Sequence, residues 1–323
     1  MLCKSSSRTL VLLAIGLQLA TVGCQRAQEQ AREDAGTNTA ETPLPKYSDA
    51  GLSLPPERPY PAKFYYLDLA GDEDYRNYYS AAVEVTTSEP MLAGIHGRCS
   101  GVLLSPRVVL TAGHCVCVRR PASTPGNEGK VIIDGSSCSQ NPTVTMMLWD
   151  ASTGNDFIPS SAWIKDYTGI EVRPHPALQV LLDKDGRVES SRADLALILL
   201  QSPVERTYAP LPIADEEVRA GETFVLVGGT SDELQGRRRW GDRVFRRYKA
   251  LQLMAPGTDR VLFDQPQREL FKGDSGGPCI REKRVGRTLV GISSRGLGKE
   301  PTFTSIHLYR SWLLSEIRSV EPK

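Results

Sequence analysis

An excess of either charge is missing from this sequence. Lys and Arg number 39 against 38 Asp and Glu, a formal net charge of +1, so the broad electrostatic footprint of a nucleic-acid-binding protein is absent. Histidine is scarce, at four residues in 323, and any imidazole chemistry must rest on very few candidates. No internal repeat of fixed period is found, which leaves no sign of a repeat array. Helical periodicity is nearly absent until the C-terminus, so a helical bundle is not the expected architecture. The one long apolar run, residues 9–22, is short for a membrane span.

What is present fits an exported all-β protein. Hydrophobic residues make up 40% of the chain, enough for a sizeable core, and 22 prolines with 28 glycines suit short strands and many turns. Lys4 and Arg8 precede the apolar run, so residues 1–24 read as an export signal. It ends in Thr21-Val22-Gly23-Cys24, which resembles a bacterial lipoprotein cleavage site with Cys24 as the lipidated first residue; ordinary signal cleavage is the alternative. Residues 25–62 are rich in Gln, Glu, Ala and Pro and read as a disordered linker or pro-segment, leaving 63–323 as the folded domain.

Order is expected from near Tyr65. Strand patterns fall at residues 81–85, 99–111, 131–134, 144–149, 170–172, 195–199, 223–227 and 289–293. Tyr309, Trp312, Leu313 and Ile317 share one face of a 3.6-residue repeat, predicting a short C-terminal helix. The basic run of Arg237 to Arg239, Arg243, Arg246, Arg247 and Lys249 reads as a solvated surface loop.

Three segments carry chemistry. Gly273-Asp274-Ser275-Gly276-Gly277-Pro278 sets a serine among glycines, where backbone N–H groups can approach a reacting carbonyl. Serine is a poor nucleophile without an adjacent base, usually a histidine oriented by a carboxylate. His114, in Thr111-Ala112-Gly113-His114-Cys115, and Asp194, heading the apolar run Leu195-Ala196-Leu197-Ile198-Leu199, are the candidates. Together these segments resemble the trypsin-like serine proteases of chymotrypsin fold, whose triad runs His, Asp, Ser along the chain.

The resemblance implies two packed six-stranded antiparallel β-barrels with a short C-terminal helix. It implies His114 as general base and then acid, Asp194 as its orienter, Ser275 as nucleophile, and Gly273 and Ser275 as oxyanion-hole donors. Polypeptides are the expected substrates of a monomeric enzyme that needs no cofactor or metal. The only further partner expected is a membrane, through lipid on Cys24. Cys99 and Cys115 match the disulfide that pins the family's histidine loop. Cys117–Cys138 with a buried free Cys279 is the preferred remaining arrangement, and Cys138–Cys279 the alternative. Pro174-His175-Pro176 resembles the segment before the family's aspartate, making His175 structural.

Specificity and activation follow the same resemblance. Glu269, six positions before Ser275, stands where the trypsin branch has an acidic pocket floor, with Ser294 and Gly296 in the strand that pairs with substrate. A modest preference for Arg or Lys before the cleaved bond is expected. In the family a freshly cut N-terminus pairs with the Asp before the nucleophile, here Asp274; Leu69-Ala70-Gly71-Asp72 lies near that position but matches it poorly. An internal partner such as Lys272 or an arginine is the alternative.

The same residues admit three rival readings. Gly273-x-Ser275-x-Gly277 also fits an α/β-hydrolase elbow, but that fold needs its acid and histidine after the serine, where only His307 remains. A metal module on His114, Cys115, Cys117 and Cys138 competes with disulfides in an oxidising compartment. A catalytically impaired peptide-binding relative is the third alternative. It is kept open by the lack of an Ile-Val-Gly-Gly sequence and of a cysteine pair around the pocket, by Arg295 where the family often has Trp, and by an enlarged stretch at residues 118–169.

Overall fold

A computed structural model describes residues 71–87, 98–150, 162–229, 243–253, 258–265, 273–284, 286–294, 296 and 300–321. The signal, the linker, Cys24 and Glu269 lie outside the described residues. The first half comprises β1 (Asp72–Glu73), β2 (Ala82–Thr86), β3 (Arg98–Ser105), β4 (Val108–Thr111), the single turn α1 (Gly113–Val116), β5 (Arg120–Pro121), β6 (Val131–Ile133), β7 (Thr143–Trp149), β8 (Ala162–Pro174), β9 (Gln179–Leu182), β10 (Val188–Arg192) and β11 (Ala196–Leu200). The second half adds β12 (Thr223–Gly228), β13 (Val244–Leu253), β14 (Arg260–Phe263), β15 (Pro278–Lys283), β16 (Gly286–Ser293) and β17 (Thr302–Ser305). A 3-10 turn at His307–Tyr309 then leads into α2 (Arg310–Val320).

These strands make the expected all-β architecture of two closed six-stranded antiparallel barrels and one C-terminal helix. The first barrel runs β11-β4-β3-β2-β7-β8 and closes through β8 against β11. The second runs β13-β12-β15-β16-β17-β14 and closes because Ala250 to Leu253 of β13 pair with β14. The opposite end of β13 takes β1 as an extra strand, Asp72 facing Phe245. Closure removes the exposed edges that an open sheet of this length would present.

Alternating apolar residues explain the first barrel: Val83 and Val85 of β2 and Val144 and Met146 of β7 are buried. The run at residues 99–111 divides into β3 and β4 at Pro106-Arg107, since proline cannot continue the ladder. The second barrel is filled by aromatics, with Phe224 packed edge-on to Phe303 at 5.0 Å and to Phe263 at 5.5 Å. Removing one such ring costs about 3–5 kcal/mol. Leu313 and Ile317 dock α2 onto the body as its periodicity requires.

Within the enlarged stretch, whose residues 151–161 lie outside the described ones, β5 and β6 join β9 and β10 in a separate four-stranded sheet, β10-β9-β6-β5. The basic run departs from expectation in part: Arg237 to Arg239 lie outside the described residues, and Arg247 and Lys249 are exposed as expected. Val244 onward is strand β13, and within the run Arg243 and Arg246 are buried rather than solvated. Arg243 Nε reaches Asp74 Oδ2 at 2.8 Å and its Nη1 donates to the Met147 carbonyl at 2.8 Å. A buried guanidinium is tolerated only with such partners.

Candidate active site

β4 ends at Thr111 and delivers the chain into α1, which carries His114 almost fully buried. The next residue, Cys115, is disulfide-bonded to Cys99 on β3, so the turn is fixed to the strand beside it. Asp194 sits just before β11 and is completely buried. Antiparallel pairing of β11 with β4, Ala196 opposite Thr111, brings the two together although 80 residues separate them.

Both carboxylate oxygens of Asp194 are used. Oδ1 accepts the backbone N–H of His114 at 2.9 Å, and Oδ2 is 2.7 Å from His114 Nδ1. Ser294, which follows β16, donates its hydroxyl to the same Oδ2. An ionised carboxylate only accepts, so the ring proton belongs on Nδ1 and the lone pair on Nε2. Burial opposes ionisation of Asp194. The attraction of His114, hydrogen bonds from His114 and Ser294, and the charge of Arg260 outweigh it and hold the carboxyl well below the ordinary range.

Ser275 lies in the turn between Gly273 and β15. Its carbonyl accepts the N–H of Ser100 at 2.7 Å, and the N–H of Gly276 donates to Ser293 at 2.7 Å. Gly276 has φ +83°, and a Cβ there would lie 2.2 Å from both the Ser100 carbonyl and Thr111 Oγ1, so only glycine lets this turn approach β3 and β4. That approach sets Ser275 beside the segment leading to His114. Among the described residues, His114 meets Asp194 through its backbone N–H and Nδ1, its Nε2 lies 3.8 Å from Cys115 Sγ, and the Ser275 hydroxyl is not bonded to it. Such contacts commonly tighten only when substrate binds.

Three further residues matter here, Ser100 and Asp259, which sequence reading did not single out, and Arg246, which it placed only in the basic run. Ser100 donates its hydroxyl to Gly273 at 2.7 Å and accepts from Gly229 N–H at 3.0 Å, while Thr111 Oγ1 donates to its carbonyl at 2.7 Å. It thereby ties the histidine loop, the serine turn and β12 together. Arg246 Nη1 is 2.6 Å from Asp274 Oδ2, both side chains under 10% exposed. Asp259 contacts the chain just before Asp194, as set out below. Only the position of Ser100, between Cys99 and Gly101, could have drawn attention to it.

The remaining expected residues divide. Ser294 is buried with its side chain turned toward Asp194, and Gly296, two residues further on, is buried as well. His175 accepts the Ala177 N–H through Nδ1 at 3.0 Å and packs edge-on against Tyr309 and Trp312, each at 4.7 Å, and burial pushes its pKa down. It is a packing residue. Cys117–Cys138 is the second disulfide, and Cys279 is a buried free thiol, which rules out Cys138–Cys279. The metal alternative fails on the same ground: Cys99, His114 and Cys115 cluster closely, but the sulfurs of Cys99, Cys115, Cys117 and Cys138 are all consumed in disulfides and offer no thiolate.

Comparison with known proteins adds a family. The model of the trypsin-like peptidase domain matches residues 99–292, which spans His114, Asp194 and Ser275. The chain belongs to this family. As a trypsin-like peptidase it is similar to phenoloxidase-activating factor 3 of Holotrichia diomphalia, 26% identical over 263 residues, covering 68% of this chain and 64% of that protein. It is also similar to human granzyme M, 25% identical over 254 residues, 70% of this chain and 83% of the relative. At the level of the family, this trypsin-like peptidase is a serine protease.

Proposed function

We propose that this protein is a serine endopeptidase in which Ser275 attacks the peptide carbonyl, His114 moves the proton and Asp194 holds His114. The observation that carries this is the fully buried Asp194 at 2.7 Å from His114 Nδ1, which leaves Nε2 as a base facing outward from the carboxylate. Nε2 takes the Ser275 hydroxyl proton as Oγ bonds to the carbonyl carbon. The N–H groups of Gly273 and Ser275 stabilise the oxyanion. The imidazolium returns its proton to the leaving amine, giving an acyl-enzyme that water then hydrolyses by the same steps in reverse order of groups.

Two finer points belong to the same reading. The buried Arg246–Asp274 pair supplies the internal counter-ion next to the nucleophile, so the oxyanion turn is ordered without a freshly cut N-terminus. The disulfides fit an oxidising compartment, where an export signal at residues 1–24 and lipid on Cys24 would place the enzyme on a membrane through the 25–62 tether. Mass spectrometry of the membrane fraction tests the latter, and an unmodified N-terminus near Gln25 in soluble material would contradict it.

The catalytic assignment is tested by substitution. Ser275→Ala and His114→Ala should each abolish peptide hydrolysis while the protein stays folded, because nucleophile and base act as one unit. Turnover close to wild type in either variant would sink it. The same comparison separates an enzyme from a peptide-binding relative, whose binding would survive both changes with no turnover to lose.

A further inference from the structure

Asp194 can orient His114 only if its own backbone is fixed, and the residue before it is held in a conformation it would not choose. Ala193 is fully buried with φ +48°, in the left-handed region. For a residue with a Cβ this region is unfavourable by roughly 1–2 kcal/mol and persists only where neighbours enforce it. The N–H of Leu195 donates to the Ala193 carbonyl at 2.6 Å, so Asp194 is the central residue of a tight three-residue turn. A small relaxation at Ala193 would therefore rotate the Asp194 carboxylate directly.

The enforcing contact comes from the other barrel. The N–H of Ala193 donates at 2.7 Å to Oδ2 of Asp259, the residue before β14. The same oxygen accepts the phenol of Tyr309 at 2.6 Å, from the 3-10 turn ahead of α2. Asp259 is only 3% exposed, and its own carbonyl is anchored by the Ser305 N–H of β17 at 2.6 Å. Arg260, the next residue, is buried with Nη1 3.2 Å from Thr304 Oγ1. Burial pushes its guanidinium pKa down, against the attraction of Asp194 and Asp259. Burial, and then the Asp259 hydrogen bond, keep the Tyr309 phenol protonated far above its ordinary range, so it remains a donor.

We propose that Asp259 is a positioning residue for catalysis: its carboxylate clamps Ala193 in the left-handed conformation that aims Asp194 at His114, and Tyr309 holds the clamp. Asp259 touches neither substrate nor the reacting atoms. The inference rests on the triad reading above. A purely structural bridge between barrels would show in stability alone; a clamp on Asp194 shows in kcat and in the Asp194–His114 hydrogen bond.

The test is Asp259→Ala in the full chain, measured two ways: kcat and KM on a peptide substrate, and the low-field proton NMR signal of His114 Nδ1–H bonded to Asp194. The clamp predicts a fall in kcat of roughly 10–100-fold with KM changed less than about threefold, the scale of a misplaced catalytic group. It also predicts an upfield shift or loss of the NMR signal. Adding Ala193→Gly, which accepts positive φ without a Cβ cost, should recover part of both. Where Asp259→Ala does not fold, Tyr309→Phe removes one hydroxyl from the clamp and should move the same two readouts in the same direction. An unchanged signal with unchanged kcat in the folded variant, or a loss that Ala193→Gly does not reduce, would overturn the proposal. Ser275→Ala run alongside separates the two failures: activity there would reject the triad, while the NMR signal still decides the clamp.

Discussion

Replacing Arg246 with Met removes the guanidinium that pairs with Asp274. The pair lies at 2.6 Å with side-chain exposures of 7% and 9%, too dry for water to take the place of the guanidinium. Breaking a buried pair from one side costs about 3–5 kcal/mol, because the remaining charge is left desolvated. For a domain of this size each kcal/mol lowers Tm by roughly 2–4 °C, so a fall of roughly 6–20 °C is expected. Activity should drop further than stability requires. Asp274 stands between Gly273 and Ser275, whose N–H groups are the proposed oxyanion donors, and losing one such donor costs about 10²–10³ in kcat. The assay is kcat on a fluorogenic peptide well below the variant's Tm, with Arg246→Met/Asp274→Asn as the comparison. Removing the Asp274 charge as well should restore most of the stability but not the full kcat. Wild-type Tm and kcat in Arg246→Met would refute the argument and return the pairing of Asp274 to a cleaved N-terminus.

Further expectations follow from the same contacts. Asp194→Asn should fold but lose about 10³–10⁴ in kcat, since an amide favours the wrong imidazole tautomer. Ser100→Ala should leave the Gly273 carbonyl and the Gly229 N–H without their hydroxyl partner, lowering Tm and kcat by a cost of about 1–3 kcal/mol for the unmet groups. Asp194 is depressed below its unfolded value of 3.8, and Asp134 is held at about 2, chiefly by its hydrogen bond to Arg120. Their stabilisation is therefore complete above about pH 4–5 and lost as pH falls below that. Melts of Ser275→Ala between pH 6 and 2 should show the decline, and adding Asp194→Asn should flatten it. A peptide-library profile should show a modest Arg or Lys preference that Glu269→Gln weakens; a profile favouring apolar or acidic residues and indifferent to that change would remove Glu269 from the pocket.

The parts of this protein that were legible in sequence are those written in local pattern. The order of His114, Asp194 and Ser275, the glycines around the serine and the spacing of Cys99 and Cys115 carried the family resemblance. Branched runs marked most first-barrel strands. β13 was misread because its arginines look like a solvated stretch, although Arg246, Tyr248 and Ala250 are buried while Arg247, Lys249 and Leu251 are exposed. That alternation is a strand signal, masked by charge whose partners lie far away in sequence, Asp74 for Arg243 and Asp274 for Arg246. The positive φ of Ala193 was illegible for a different reason. Nothing about an alanine announces a left-handed conformation, and its cause, Asp259, is 66 residues distant.

The central claim is that Ser275 is an activated nucleophile. A fluorophosphonate reacts with such a serine and not with an ordinary one, because attack needs the base and the oxyanion donors together. The mature protein should be labelled stoichiometrically, with the adduct located by peptide mass spectrometry on Ser275, and Ser275→Ala should take up no label. Folded wild-type protein that stays unlabelled, or label that persists in Ser275→Ala, would contradict the account.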